Sequence, residues 1–315
     1  MNVRSYITVF TAVAFVAVNQ GFTQTACEQS CFTQFPGDQI WLVSARDVDF
    51  CATPGTDQLK CQKFCNGQWV ESSFCDLSNS QQCRSVVYVH GYQTDLKSAR
   101  SRGLRVYQNV YAHRPESEPV RYIIWAWKSE RENRRPIKDF DMKSHRAVAL
   151  ADIFATTMNN LGPIPPVVIG YSLGAQVVVS AFVQSTLYTG PPVRLVIVAA
   201  ANDCGFASCP NQFSNCGNIE QSIIFCNESD RAIRASRLIC KVKYGANFQT
   251  FEDLALQNDC SLGAINVVDI SDVASKRHSI LRYTSLPVVQ AIIQQLLSSK
   301  SILQPEVSRE SVPVD

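Results

Sequence analysis

Pro166-Val-Val-Ile-Gly-Tyr-Ser-Leu-Gly-Ala-Gln-Val-Val-Val-Ser180 is the stretch on which the reading of the whole chain turns. Val167 to Ile169 make a short apolar run suited to a buried parallel strand, and the chain then turns through Gly170-Tyr-Ser-Leu-Gly174. From Ala175 it resumes as Ala-Gln-Val-Val-Val-Ser-Ala-Phe-Val, which reads as a helix. G-x-S-x-G between strand and helix is the setting of a nucleophile elbow. The spacing has a steric cause. A serine lifted above a sheet on a tight turn needs neighbours without side chains, so Gly170 and Gly174 let strand and helix pass closely. The amide of Leu173 then points toward the same space as the Ser172 hydroxyl. The bare pattern also arises by chance, so its flanks must carry the reading.

Upstream, Arg84-Ser-Val-Val-Tyr-Val-His-Gly91 is a second buried strand, and Thr94 or Asp95 can cap a helix over Leu96 to Ala112. Its Lys97, Arg100, Arg102 and Arg105 are expected to face solvent. Val120 to Trp127 is the next strand, followed by a charged loop, Lys128 to Asp141. A helix is expected over Met142 to Leu161, with Val148, Ile153, Phe154 and Met158 at core spacing. Downstream, Val193 to Ala200, Gln221 to Cys226 and Ala264 to Ile270 read as strands. Asn202 to Asn218 reads as a loop, the stretch from Asp230 to Ile239 as a helix, and Leu286 to Leu297 as the last helix. This alternation predicts an α/β fold with a mostly parallel central sheet and helices on both faces. Ligands of such sheets bind beyond the carboxyl ends of the strands, where His90, Ser172, Asp203 and Asp230 fall.

A serine hydroxyl is a weak nucleophile and needs a base, itself oriented by a carboxylate. The chain has four histidines. His113 closes a helix among charges and His145 sits on an amphipathic helix. His90 lies in the strand-ending His-Gly, where it is read as a buttress of the turn. His278 follows the last strand and completes the order Ser…Asp…His, so it is the expected base. For the acid, Asp230 is preferred and Asp203 is the alternative; Asp269 and Asp272 lie too near His278 in sequence to reach the far side of its ring. Gly91 lets the amide of Tyr92 turn inward to join that of Leu173 as an oxyanion hole.

The chain has 315 residues, 46% of them hydrophobic, and a formal net charge of +2. That is enough for one full-sized core, and the near-neutral balance gives no reason to expect a nucleic-acid partner. Arg4 and an apolar run from Tyr6 to Val18 read as a signal peptide over residues 1–25, too short to span a bilayer. All thirteen cysteines lie beyond it, in two groups: Cys27, Cys31, Cys51, Cys61, Cys65, Cys75 and Cys83, then Cys204, Cys209, Cys216, Cys226, Cys240 and Cys260. A secreted chain favours disulfides, and no histidine stands near Cys27-x-x-x-Cys31 or Cys61-x-x-x-Cys65 to complete a metal site. Most of these cysteines are expected to pair, with Cys226 remaining a thiol at the end of a buried strand. Residues 26–83 read as a loop-dominated, Cys-rich extension in which only 39–46 is a strand, one that can join the main sheet. The domain proper is expected over 84–300, with a disordered tail over 301–315.

The phrases Val-His-Gly-Tyr-Gln-Thr94, Ile-Trp-Ala-Trp-Lys-Ser129, Gly-Tyr-Ser-Leu-Gly174, Ala-Ala-Asn-Asp203, Asn-Glu-Ser-Asp-Arg-Ala-Ile233 and Val-Val-Asp-Ile-Ser271, with His278 after them, occur in one order. Together they resemble a mainly bacterial α/β-hydrolase family of unknown function, over about residues 84–284. The resemblance implies Ser172, Asp230 and His278 as a triad. That family more often has His and Met around the serine, where this chain has Tyr171 and Leu173; Leu173 is also found in pancreatic-type lipases.

The expectation is therefore a secreted serine hydrolase acting on a small-molecule or lipid ester, soluble esters preferred, with no cofactor and no metal. The alternative from another class is a secreted binding or structural protein on an inert fold, with the Cys-rich segment meeting a protein or glycan partner. Arg131, Arg134, Arg135 and Lys138, interleaved with Glu130, Glu132, Asp139 and Asp141, read as a solvated loop rather than an anion site. Asn227-Glu-Ser229 is a glycosylation sequon three residues before Asp230, expected to go unused.

Overall fold

The computed structural model describes residues 32, 34–51, 53, 55–79, 83–111, 114, 118–200, 218–244 and 264–297. The signal-peptide segment, the tail beyond 300 and Asp203 lie outside them, as do Cys27, Cys31, Cys204, Cys209, Cys216 and Cys260.

The described strands form one sheet. They are β1 (Gln39–Ser44), β2 (Lys60–Cys65), β3 (Gln68–Ser72), β4 (Arg84–Val89), β5 (Val120–Ala126), β6 (Val167–Tyr171), β7 (Val193–Val198), β8 (Ile219–Cys226) and β9 (Ala264–Asp269). Their spatial order is β3-β2-β1-β5-β4-β6-β7-β8-β9. From β1 to β9 every neighbour is parallel, whereas β2 and β3 add an antiparallel hairpin to the outer side of β1.

The central strands are mostly apolar because both of their faces are covered. On β4, Val87 and Val89 enter one core, while Val86 and Tyr88 enter the other. The first core takes side chains from α3 (Pro136–Ala149), α4 (Ala151–Asn159) and α5 (Leu173–Val179). The second takes them from α2 (Leu96–Tyr111), α6 (Arg231–Tyr244), α7 (Ile280–Thr284) and α8 (Pro287–Leu297). Helices thus lie on both faces of the sheet. Of the two candidate caps for α2, Asp95 is the one used: its Oδ1 accepts the Ser98 N–H at 2.7 Å.

Several expectations need correction. The segment before Arg84 is not loop-dominated: besides β1 it contributes β2, β3 and α1 (Phe74–Asn79). Asn66 and Gly67, both at positive φ (51° and 81°), close the hairpin as a two-residue turn. The disulfide framework expected there is not formed among the described residues, where Cys51, Cys61, Cys65, Cys75 and Cys83 are free thiols. Cys61 and Cys65 sit four apart on β2, which separates them by about 13 Å, far beyond the reach of a bridge. Cys226 ends β8 half-buried against the first core.

The helix expected from Met142 begins earlier, with Pro136 in its first turn, where the missing N–H costs nothing. It then breaks at Leu150 into α3 and α4. The break shifts the buried face, so Val148 is exposed while Ile153, Phe154 and Met158 are buried. Arg100 is not left to solvent either: its guanidinium bonds Gln62 on β2 and lies 6.0 Å from the Trp69 ring centroid, tying α2 to the hairpin.

Candidate active site

Ser172 occupies the turn between β6 and α5 at φ 53° and ψ −124°, a region non-glycine residues rarely enter. Its N–H bonds the Val198 carbonyl at 3.0 Å and its own carbonyl accepts the Ala175 N–H at 3.1 Å, so strand and helix both hold the turn. The two glycines are demanded by backbone contact. A Cβ on Gly174 would lie 2.5 Å from the carbonyl oxygens of both Val89 and His90, and one on Gly170 would lie 2.8 Å from the Ala175 Cα.

Beyond β9, the loop before α7 brings His278 over the serine. His278 Nε2 stands 2.8 Å from Ser172 Oγ, and its Nδ1 stands 2.7 Å from Asp230 Oδ2. Asp230 follows β8 and is fully buried. Burial alone would raise its carboxyl pKa. The hydrogen bond from His278, the charge of that ring, the Tyr283 hydroxyl and the Ile233 N–H outweigh burial and hold it below the ordinary carboxylate value. An ionised carboxylate only accepts, so the His278 proton belongs on Nδ1, leaving Nε2 to accept from the Ser172 hydroxyl. Such a chain can draw the hydroxyl proton onto Nε2 as the oxygen attacks an electrophile.

The turn after β4 faces the elbow at contact distance, since a Cβ on Gly91 would stand 2.8 Å from the Ser172 Cβ. His90 braces this turn. Its Nε2 accepts the Trp127 N–H at 3.2 Å, its Nδ1 lies 3.0 Å from the Gly91 carbonyl, and its ring stacks on the Trp127 indole. Burial pushes its pKa down to about 4, so it is neutral at physiological pH. Ser129 accepts the Gln93 N–H at its carbonyl and the Thr94 N–H at its hydroxyl. Neither Tyr92 nor Leu173 spends its N–H on a described acceptor, and Leu173, as the first residue of α5, has no intrahelical partner.

Ser172, Asp230 and His278 are thus brought together, with Tyr92 and Leu173 beside them. Four contributors were missed. Tyr283 donates to Asp230 Oδ2, and Asn227 donates to Tyr283. The Tyr171 ring stacks on His278 with centroids 5.0 Å apart. Asp139 is buried rather than solvated: it accepts the Tyr92 hydroxyl at 2.6 Å and the N–H groups of Glu132 and Asn133. Glu132 in turn pairs with Lys128, Lys143 and Arg146, and Glu130 with Arg46, so Glu130, Glu132 and Asp139 are structural. Asn227 had shown only as a sequon, and nothing in the sequence links Tyr283 to Asp230. Among the described residues no group of three His, Cys, Asp or Glu side chains converges on a point where a metal could sit. No helix among them is long and apolar enough to cross a membrane.

A mostly parallel sheet wrapped on both faces, with a serine on a strained strand-to-helix turn, defines the α/β-hydrolase class. The chain belongs to the family described as "Alpha/beta hydrolase of unknown function" (DUF900), whose model matches residues 66–300. No curated protein matches the chain.

Proposed function

We propose that this α/β hydrolase is a secreted serine hydrolase that cleaves carboxylic esters through an acyl-enzyme on Ser172. The observation that carries the reading is the unbroken chain from Ser172 Oγ to His278 Nε2, 2.8 Å, and from His278 Nδ1 to Asp230 Oδ2, 2.7 Å. His278 takes the Ser172 proton as Oγ bonds the ester carbonyl carbon. It returns that proton to the leaving alkoxide as the carbon–oxygen bond breaks. Water then enters and loses a proton to Nε2 as its oxygen bonds the acyl carbon. His278 passes that proton to Ser172 Oγ as the acyl–oxygen bond breaks and the acid leaves. The N–H groups of Tyr92 and Leu173 hold the oxyanion, each worth about 100- to 1000-fold in rate. The rim of the site favours soluble esters over lipid aggregates, since Arg131, Arg134, Arg135 and Lys138 are all exposed on the 128–141 loop. Secretion is supported by Arg4 and the apolar run Tyr6 to Val18.

The test is a fluorophosphonate probe on the folded protein. Labelling that disappears in Ser172→Ala and falls sharply in His278→Ala is the expected result. A folded wild type that takes up no label would overturn the reading in favour of a binding protein on an inert fold.

A further inference from the structure

We propose that Tyr283 and Asn227 form an outer positioning pair that fixes the charge of Asp230 and ties it to the loop carrying His278, thereby setting the pH range in which Ser172 is activated. This rests on the triad reading above.

The two oxygens of Asp230 do different work. Oδ1 accepts the N–H groups of Ala232 and Ile233 at 2.8 and 3.2 Å and so caps α6. Oδ2 faces His278 and takes a second donor, the Tyr283 hydroxyl, at 2.5 Å. That hydroxyl accepts a hydrogen bond from Asn227 Nδ2 at 3.0 Å, which strengthens it as a donor. The same Nδ2 donates to the Ser275 carbonyl, three residues before His278, and Asn227 Oδ1 accepts the Ser229 N–H. Asn227 and Tyr283 are 4% and 1% exposed, so these bonds are made away from water. A tyrosine serving only as core filler would not aim its hydroxyl at the oxygen that holds the imidazole.

The consequence is electrostatic. Negative charge shared with the Tyr283 hydroxyl is charge withheld from the imidazole. Without it Oδ2 interacts with His278 alone, and the ring keeps its proton to higher pH. The other titratable groups nearby are Tyr171, stacked on His278 from β6, and the exposed Arg231, Lys276 and Arg277. Arg102 on α2 is farther off, its charge reaching Tyr171. All of these stay in place when the hydroxyl is removed. The sequon acquires a meaning as well. A glycan on Asn227 would replace an N–H that holds Ser275 or Tyr283, so glycosylation and an assembled site exclude each other.

The experiment measures fluorophosphonate inactivation against pH for wild type, Tyr283→Phe and Asn227→Ala. Histidine NMR titrations of the same proteins run in parallel, with His278→Gln for assignment. Tyr283→Phe should still label, with its acidic limb and its His278 titration moved up by about half to one pH unit. Asn227→Ala should move both the same way by less. Profiles and titrations that superpose on wild type in a folded Tyr283→Phe would overturn the proposal, as would a loss of labelling equal at every pH with the titration unmoved. A wild type that does not label sinks the hydrolase reading instead, and the NMR titration still decides the role of Tyr283.

Discussion

A Cβ built on Gly91 would stand 2.8 Å from the Cβ of Ser172 and 3.0 Å from the carbonyl oxygen of Tyr171. The turn that presents the Tyr92 N–H is therefore seated directly on the elbow, and neither can move alone. Gly91→Ala must push the serine or the turn aside by a few tenths of an ångström. A misplacement of about 1 Å can cost about 100-fold in rate, so a shift of a few tenths should cost about tenfold. We expect kcat/KM to fall by that order with the circular dichroism spectrum unchanged. Ordinary labelling and turnover in Gly91→Ala would mean that the two turns are not coupled.

The elbow was legible because its cause is local. Gly170, Ser172 and Gly174 are fixed by one strand-to-helix turn, and Val87, Val168 and Val196 mark their strands by uninterrupted apolar runs. The order of Ser172, Asp230 and His278 could also be read, since each follows a strand end. What stayed hidden was decided by distant partners. Tyr283 and Asp230 are 53 residues apart, and Asp139 looks like any loop acid until Tyr92 is seen to donate to it. The hairpin β2–β3 is a different case. Asn66-Gly67 is a strong hairpin signal, but the cysteines around it drew the reading toward a stapled loop.

Asp230→Asn should lower turnover by about four orders of magnitude, because the imidazole loses the acceptor that keeps its proton on Nδ1. The fold should survive, since asparagine can still cap α6 through its side-chain oxygen. Asp230→Ala should add a stability loss of about 1 kcal/mol from the missing cap. Steady-state kinetics and urea melts on the two variants separate the roles. Near-normal turnover in Asp230→Asn would remove it from the triad.

Arg121 is a fully buried cation. Its guanidinium bonds the Ser85 hydroxyl and the carbonyls of Leu77 and Leu161, joining β4, β5, α1 and the end of α4. Burial pushes its pKa down to about 10, still charged at neutral pH. Arg121→Met fills much of the same space but strands those acceptors, so a loss of about 3 kcal/mol is expected in chemical denaturation. Arg121→Lys should recover only part, since a single ammonium cannot span the fork.

The cysteines of the N-terminal strands should differ in reactivity. Cys51 and Cys75 are exposed and should take up a thiol reagent in the folded state at neutral pH. Cys61 is buried, and that burial pushes its pKa up to about 12, so it should react only after unfolding. Peptide mapping after timed alkylation reads the order. Early modification of Cys61 would show that β2 does not stay docked on β1.

His90 should make stability fall in mild acid. Folded, it is held neutral with its pKa at about 4; unfolded, it titrates near the ordinary value of about 6.5. Between these values the unfolded chain binds the extra proton, so stability is complete above the upper value and declines as pH falls toward the lower. The contribution lost by pH 5 is about 2 kcal/mol. Glu132, held at about 2 against burial by Lys128 and Lys143, weakens the fold only in stronger acid, below its ordinary carboxylate value. Urea unfolding at about pH 7.5, 6.5 and 5.5 therefore samples the His90 window with that group still ionised. His90→Gln can keep a polar contact with Trp127 but has no proton to gain. It should be less stable than wild type at neutral pH, and the gap should narrow steadily toward pH 5. A gap that stays constant across the window would mean that His90 takes up its proton without leaving the turn.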